Sequence, residues 1–348
     1  MKVQSRFVQF FAIMFLFIFN SITHATGYFP VPLKENEHVV KMISGKKETY
    51  LISNYRVYRK CKDGFNVVIN SPSVINDAII DSNTLWIASD AGLFHTNLTD
   101  FKMEEEKGLV FKFKEHNVNR LALDASGTMW IGTFGSGVYT KKGRLFETKL
   151  EISPILSLAT TPNGDVWVGT NVGMYRFRHN EKNWNRYAEE GYSGYELPDN
   201  IVENLFGDSQ SNMWVLMPDI VSFVSVGNTD GHIPAYSYVG KPNNQVLDIV
   251  NLDKSSYLFA TTDGLVYLPG APEDKHDHGS SEVHTEEKGP GAILVSNDKL
   301  NSPASLANEK VIKLLSEKDK IWFITNKGIW SVKTKQFRSI VKNTPSKK

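Results

Sequence analysis

The sequence predicts an all-β fold, a β-propeller of seven four-stranded blades, from three observations. A short apolar stretch built on tryptophan recurs along the chain, most clearly at Trp130–Thr133 and Trp167–Thr170. Its copies are spaced by roughly 40 residues, a period typical of propeller blades. The 348 residues also include 25 glycines and 11% aromatic residues, which suits a protein of many strands and turns.

Alignment of the copies on the tryptophan defines one structural anchor for each of seven blades. The anchors are Tyr50, Trp86, Trp130, Trp167, Trp214, Leu258 and Trp322. The intervals between them are 36, 44, 37, 47, 44 and 64 residues. A large side chain in a strand contributes strongly to burial between sheets. We therefore expect the anchors to pack neighbouring blades against each other.

The third copy shows how one unit divides into strands. The predicted strands are Val118–Leu123, Met129–Thr133, Val138–Lys141 and Arg144–Thr148. A glycine and an apolar residue follow most anchors, and these glycines are Gly92, Gly137, Gly173, Gly264 and Gly328. Four strands at this spacing form one twisted sheet, whose two apolar faces must be covered by neighbouring sheets.

These residues resemble the two-component regulator propeller repeat. The consensus of that repeat is an apolar strand and an Asp-Gly turn, followed by Leu-Trp-Ile-Gly-Thr and then Gly-Leu. Asp124–Val138 and Asn163–Met174 carry the resemblance, and Leu85–Leu93 supports it. The resemblance implies a sensory or ligand-binding propeller outside the membrane. Such repeats usually precede a transmembrane helix and a signalling module, and neither is found before Lys348. The resemblance therefore implies that the partner is a membrane sensor or another envelope protein.

The sequence leaves two ways of closing the ring open. In the first, Phe337–Val341 supplies the last strand and the ring closes by packing alone. In the second, Tyr28–Leu33 adds an edge strand. Pro30 and Pro32 oppose central pairing of this second segment, because proline cannot donate to a ladder of hydrogen bonds.

The first 25 residues have the layout of a secretory signal peptide. Lys2 and Arg6 precede the almost wholly apolar run Phe7–Phe19, and small residues lead to a cleavage site after Ala25. The apolar run is too short to span a bilayer as a helix. We therefore expect one propeller domain at 26–348, without a transmembrane span, in the periplasm or secreted.

Two insertions interrupt the repeat. Residues 269–306 are predicted to form a mobile insertion rich in histidine and glutamate. His276, His278 and His284 are candidate metal ligands there, but their spacing matches no known site, so neither a metal nor a cofactor is predicted. In the second insertion, Tyr192 and Tyr195 are candidates for a loop that stacks on a sugar ring or holds a peptide.

The alignment also identifies one polar position near the start of the first strand of every unit. These residues are Lys41, Asp77, Arg120, Ser157, Asn204, Asp248 and Lys313. If this strand is innermost, their side chains face the central channel and form a polar ring. Such a ring could hold a small polar or carbohydrate ligand, or it could be a hydrated, charge-paired wall without a ligand.

Three classes of function are consistent with these features. The first is an exported sensor or binding module that passes a signal to a membrane partner. The alternatives are an enzyme of the lyase or hydrolase type, for which no catalytic pair is identified by spacing, and a structural scaffold in an envelope complex. Basic residues are dispersed and the net charge is +1, so the sequence has no nucleic-acid-binding footprint.

Overall fold

Seven antiparallel sheets surround a common centre in the computed structural model of this chain. The structure describes residues 27–344, apart from residues 32, 109–116, 144, 190–195, 227–243, 273–290, 301 and 318. Six sheets have four strands each. The fifth has three strands within the described residues, and the chain that follows them, 227–243, lies outside that part. The seven-bladed propeller predicted from the sequence is confirmed.

The strands run outward from the centre in each blade, and they are numbered in chain order. The inner strands are β2 (Val39–Ser44), β6 (Ile75–Asp81), β10 (Val118–Leu123), β14 (Ser157–Thr160), β18 (Asn204–Gly207), β21 (Val246–Asn251) and β25 (Lys313–Ser316). The second strands are β3 (Thr49–Ser53), β7 (Thr84–Ser89), β11 (Met129–Thr133), β15 (Val166–Thr170), β19 (Met213–Leu216), β22 (Tyr257–Thr261) and β26 (Lys320–Ile324). The third strands are β4 (Arg56–Lys60), β8 (Gly92–Asn97), β12 (Val138–Lys142), β16 (Gly173–Arg178), β20 (Val221–Val224), β23 (Gly264–Leu268) and β27 (Gly328–Lys333). The outer strands are β1 (Tyr28–Pro30), β5 (Phe65–Asn70), β9 (Glu104–Glu105), β13 (Leu145–Leu150), β17 (Asn183–Tyr187) and β24 (Ile293–Val295).

The N-terminal strand closes the ring. β1 pairs antiparallel with β27, so that the first described strand becomes the outer strand of the seventh blade. The expectation that Phe337–Val341 forms this strand is wrong, because Thr334–Lys342 is an α-helix, α1. Phe337 and Val341 are four residues apart, lie on one face of α1 and are buried. An amphipathic helix buries this spacing of apolar residues as effectively as a strand would.

Each gap between neighbouring blades is filled by its own apolar cluster. The seven anchors lie in seven different clusters, each between the blade of the anchor and the next blade. Six anchors are buried, and Trp86 is half-buried. Trp322 packs blade 7 against Leu51 and Tyr58 of blade 1, which completes the circle. The anchors therefore stand where the repeat pattern predicts inter-blade contacts.

Steric constraints explain why glycine follows the anchors. Gly137 and Gly173 open the turn into the third strand with φ angles of +95° and +113°. A Cβ atom would stand 2.1 Å from the carbonyl oxygen of Leu150 at the first position, and 2.3 Å from that of Tyr187 at the second. Only glycine combines the left-handed φ with this close approach of the outer strand.

The second half of the predicted insertion at 269–306 belongs to the propeller. Residues 273–290, with His276, His278 and His284, lie outside the described part of the chain. β24 is the outer strand of blade 6, and the short 3₁₀ helices Asp298–Leu300 and Ala304–Leu306 each bury a leucine. Across the described residues, the structure has no helix long and apolar enough to cross a membrane.

Candidate functional site

A cavity of about 400 Å³ lies at the centre of the ring, where all seven inner strands meet. Its lining contains at least one polar residue from each inner strand. Asn76 lines it too, beside the seven positions identified by the alignment: Lys41, Asp77, Arg120, Ser157, Asn204, Asp248 and Lys313. Apolar residues such as Met42, Leu205 and Leu314 complete the wall. Pockets for small molecules commonly measure about 300–1,000 Å³, so the cavity has the size of a ligand site.

The backbone of the inner strands places these side chains in the cavity. The register between inner and second strand shifts just before four of them, namely Lys41, Asp77, Arg120 and Asp248. Such a β-bulge inserts one residue and turns the next side chain to a new direction. In blade 4, a Cβ atom at Gly169 would stand 2.1 Å from the hydroxyl oxygen of Ser157, so the glycine leaves room for that hydroxyl.

Asp77 joins three consecutive blades at the cavity. Its Oδ1 accepts hydrogen bonds from the ammonium group of Lys41 in blade 1, at 2.6 Å, and from the N–H of Ala78, at 2.8 Å. Its Oδ2 accepts the N–H of Leu121 in blade 3, at 3.0 Å. Both oxygens of this buried carboxylate are therefore engaged by Lys41 and the main chain.

Asp248 and Ser157 make similar links between blades. Asp248 Oδ2 accepts the N–H of Leu314 at 2.7 Å, and the Ser157 hydroxyl donates to the carbonyl oxygen of Val202 at 3.2 Å. Leu314 directly follows Lys313, the polar cavity residue of its blade, as Leu121 follows Arg120 in blade 3. The same aspartate-to-main-chain bond thus connects blade 2 to blade 3 and blade 6 to blade 7. These polar residues stabilise the wall of the cavity.

Arg120 and Lys313 are less engaged than the two aspartates. Arg120 Nη1 donates to the carbonyl oxygen of Asn119 at 2.8 Å and to its Oδ1 at 3.2 Å. In the part of the chain that the structure describes, no carboxylate forms an ion pair with Arg120 or Lys313. Burial lowers the pKa of the Arg120 guanidinium, and the nearby charge of Asp77 only partly opposes this effect. The protonated guanidinium would gain stability from a bound anion.

The Asp248→Asn variant should gain stability relative to the parent protein as pH rises above about 4. Burial raises the pKa of Asp248 above its ordinary value of 3.8, although Lys313, the N–H groups of Leu314 and Ile249, and Lys41 oppose the shift. The folded state therefore holds this proton more tightly than the unfolded state. Stability is lost as pH rises through the raised pKa, and an amide cannot undergo this loss.

Urea unfolding of both proteins across pH 4–8 measures this difference. The amide oxygen still accepts the N–H of Leu314, which keeps the inter-blade bond. A difference in unfolding free energy that is constant over the pH range would contradict the raised pKa. The Asp253→Asn variant is a control, because hydrogen bonds lower the pKa of that aspartate despite partial burial, and its pH dependence has the opposite sign.

The other predicted binding and metal-ligating residues are not among those that the structure describes. Tyr192, Tyr195 and the three candidate histidines lie outside the described residues. Trp184 and Tyr187 lie in β17, the outer strand of blade 4. The described residues contain no group of three or more His, Cys, Asp or Glu side chains arranged to hold a metal ion.

From the sequence we did not identify the asparagines that precede two of the polar cavity residues, Asp77 and Arg120. Asn76 Nδ2 donates to the carbonyl oxygen of Val118 at 3.0 Å, and the Asn119 side chain donates to that of Ile155. The first bond reaches the next inner strand, β10, and the second reaches the segment just before β14. The sequence carries a signal for them, since Asn occupies the same position before the ring residue in blades 2 and 3. Only the structure shows that this position is the bulge.

An arc of exposed apolar side chains lies on what we call the upper face, the end of the ring at which the inner strands begin. Phe134 is 57% exposed, Val172 39% and Ile201 40%. They lie in the loops before β12, β16 and β18, on neighbouring blades. The ring residues occupy the first half of each inner strand, so the cavity lies nearer to this face than to the opposite one.

A family model identifies the repeat. Residues 112–135 match the family described as "Two component regulator propeller", which is the repeat that the sequence resembles, so this prediction is confirmed. The chain is thus a propeller that carries a repeat of this regulator type. Among proteins of curated function, the sequence has no significant match.

Three solved structures share the fold. A structure described as the extracellular domain of a hybrid two component system from B. thetaiotaomicron is 16% identical, with a TM-score of 0.64, over 88% of this chain and 40% of that one. PorZ, a surface component of the type-IX secretion system of Porphyromonas gingivalis, is 15% identical, with a TM-score of 0.61, over 88% and 48%. A catalytically inactive virginiamycin B lyase from Staphylococcus aureus, with quinupristin, is 9% identical, with a TM-score of 0.61, over 89% and 99%.

These neighbours represent the three classes of function that the sequence leaves open. One is part of a two component system, one is a component of a secretion system, and one is an enzyme. This chain spans less than half the length of the first two. Similarity at these identities shows the fold alone, so the function must be argued from the site.

Proposed function

We propose that this chain is an exported propeller module that binds a small polar ligand in its central cavity and passes ligand occupancy to a membrane sensor or envelope protein. One observation carries the proposal. A polar residue from each of the seven inner strands lines a single cavity of about 400 Å³. The N-terminal pattern of a signal peptide and the extracellular origin of a structural neighbour support a periplasmic or secreted location.

The upper face offers a way to transmit occupancy. Phe134, Val172 and Ile201 project from loops that lie near the cavity end of blades 3 to 5. Exposed apolar groups of this size are typical of protein interaction surfaces when they cluster. A ligand that binds one arrangement of these loops better than another would change the affinity of the partner. The apolar arc is therefore our candidate surface for the membrane partner.

Binding is favoured over catalysis by the residues of the cavity. Its lining within the described part of the chain contains no histidine, cysteine or glutamate. The two aspartates, Asp77 and Asp248, accept main-chain N–H groups from the neighbouring blades. General acid–base catalysis requires a positioned side chain that can exchange a proton with a substrate. The aspartates instead form part of the structural wall.

Thermal-shift measurements on residues 26–348 with sugars, oligosaccharides, amino acids, peptides and divalent ions test the proposal. A ligand at a hundredfold excess over its Kd raises stability by about 2.7 kcal/mol. We expect one class of compound to raise the melting temperature, and we expect the Asn204→Trp variant to abolish that shift. Asn204 lines the cavity and is half-buried, so an indole there would fill the space.

The Asn66→Trp variant is the matched control, because Asn66 is exposed on the outer strand β5. It should keep the ligand-induced shift of the parent protein. The proposal fails if no compound class raises the melting temperature, or if the shift survives in the Asn204→Trp variant. A shift confined to divalent ions would instead favour a metal-dependent role for residues outside the cavity.

A further inference from the structure

The charges of the cavity do not balance. Three cationic residues line it, Lys41, Arg120 and Lys313, against two acidic ones, Asp77 and Asp248. Lys41 and Asp77 form an ion pair at 2.6 Å and neutralise each other. Arg120 and Lys313 then face the remaining carboxylate, Asp248, so the cavity keeps an excess of positive charge.

The two aspartates of the cavity already accept hydrogen bonds from the main chain. Asp77 accepts two N–H groups besides Lys41, and Asp248 accepts the N–H of Leu314. A carboxylate whose oxygens are held by such donors is not free to bind a cationic ligand. The N–H donors also disperse its negative charge, which weakens its pull on ligands in the cavity.

Arg120 and Lys313 have hydrogen-bond donors for which the described residues show no acceptor. A guanidinium group has five N–H donors, and the structure shows two contacts of Arg120 Nη1, both to its neighbour Asn119. Lys313 has three donors and, among the described residues, no ion-pair partner. Both side chains are half-buried, so water solvates them incompletely. An anion would supply the missing partner.

We infer that the ligand of the cavity is a small oxyanion, a carboxylate or phosphate group on a polar molecule, which Arg120 and Lys313 bind. This inference rests on the proposed function and adds the chemical class of the ligand. Charge-assisted bonds from guanidinium and ammonium groups to such oxygens are among the stronger polar contacts in proteins. Ser157 and Asn204, on the uncharged side of the ring, face the rest of the molecule.

Isothermal titration calorimetry with inorganic phosphate, glucuronate, glucose and glucosamine tests this inference. The three sugars share one ring and differ chiefly in charge, so they separate charge from shape. We expect phosphate or glucuronate to bind and glucose and glucosamine to bind at least about tenfold more weakly. Arg120→Met and Lys313→Met should each weaken anion binding by about tenfold, because each removes a charged donor.

Asp248→Asn should act in the opposite direction and tighten anion binding by about threefold or more, because it removes a competing negative charge from the cavity. A gain in affinity cannot come from damaged folding. Lys102→Met is the control for loss of a positive charge, since the Lys102 side chain is 79% exposed on the rim of blade 2. It should leave the Kd unchanged.

The inference is overturned if neither anion binds, if glucose or glucosamine binds as tightly as glucuronate, or if Lys313→Met and Arg120→Met leave anion affinity unchanged. These outcomes differ from failure of the proposed function. A neutral ligand that binds the parent protein but not the Asn204→Trp variant would keep the cavity as a binding site and reject only its anionic character.

Discussion

Trp214→Ala is expected to lower the free energy of unfolding by about 3–5 kcal/mol, as large-to-small substitutions of buried aromatic residues commonly do. Trp214 is 1% exposed and lies between blades 5 and 6. Its ring centroid is 4.8 Å from that of Phe223, 5.0 Å from that of Phe259 and 5.2 Å from that of Tyr257. Alanine would leave a cavity among rigid aromatic neighbours, which cannot collapse to fill it.

Urea unfolding followed by circular dichroism measures this loss, and Trp86→Ala is the comparison at the same position of another repeat. Trp86 is only half-buried, with His95 at 4.9 Å and the Lys141 ammonium 4.9 Å above its ring. We expect that variant to lose about 1–2 kcal/mol. Equal losses in the two variants would mean that burial does not determine the contribution of an anchor.

The local sequence pattern of each repeat was sufficient to predict the blades. In the third unit, the predicted strands Val118–Leu123 and Met129–Thr133 agree with β10 and β11 at both ends. The reason is that each hairpin pairs neighbours in sequence, so alternation, turn residues and the tryptophan anchor all point to one structure. The polar position of each inner strand was visible for the same reason, because it recurs at the same place in strands that are mostly apolar.

Contacts between distant segments were not predictable in this way. Phe337 follows the seventh repeat at the spacing of an outer-strand aromatic, yet it is in α1 and packs 5.7 Å from the ring of Tyr267 in blade 6. The hydrogen bond that the N–H of Leu121 donates to Asp77 likewise depends on the approach of two blades. The alignment identified Asp77 as polar, but only the distance between inner strands shows that its carboxylate joins them.

Ring closure by the N-terminal strand leads to the second large effect, which we expect for Phe29→Ala. Phe29 pairs with Ile329 in β27, and its ring lies 5.9 Å from that of Trp322 and 6.1 Å from that of Phe65. It thus contacts blade 7 and blade 1 at the junction of the two ends of the propeller. Phe29 is half-buried, so we expect a loss of about 2 kcal/mol in unfolding free energy, below that of a fully buried aromatic residue.

Tyr28→Ala is the matched control, because successive side chains of a strand point to opposite faces. Tyr28 is 41% exposed, and its replacement should cost under about 1 kcal/mol. Deletion of residues 27–31 should cost at least as much as Phe29→Ala, since it also removes Val31 from the cluster between blades 7 and 1. Pro30 is compatible with this arrangement because β1 is an edge strand, where one side of the backbone needs no partner strand. If Phe29→Ala and Tyr28→Ala have equal and small effects on urea unfolding, packing of the neighbouring blades closes the ring without the N-terminal strand.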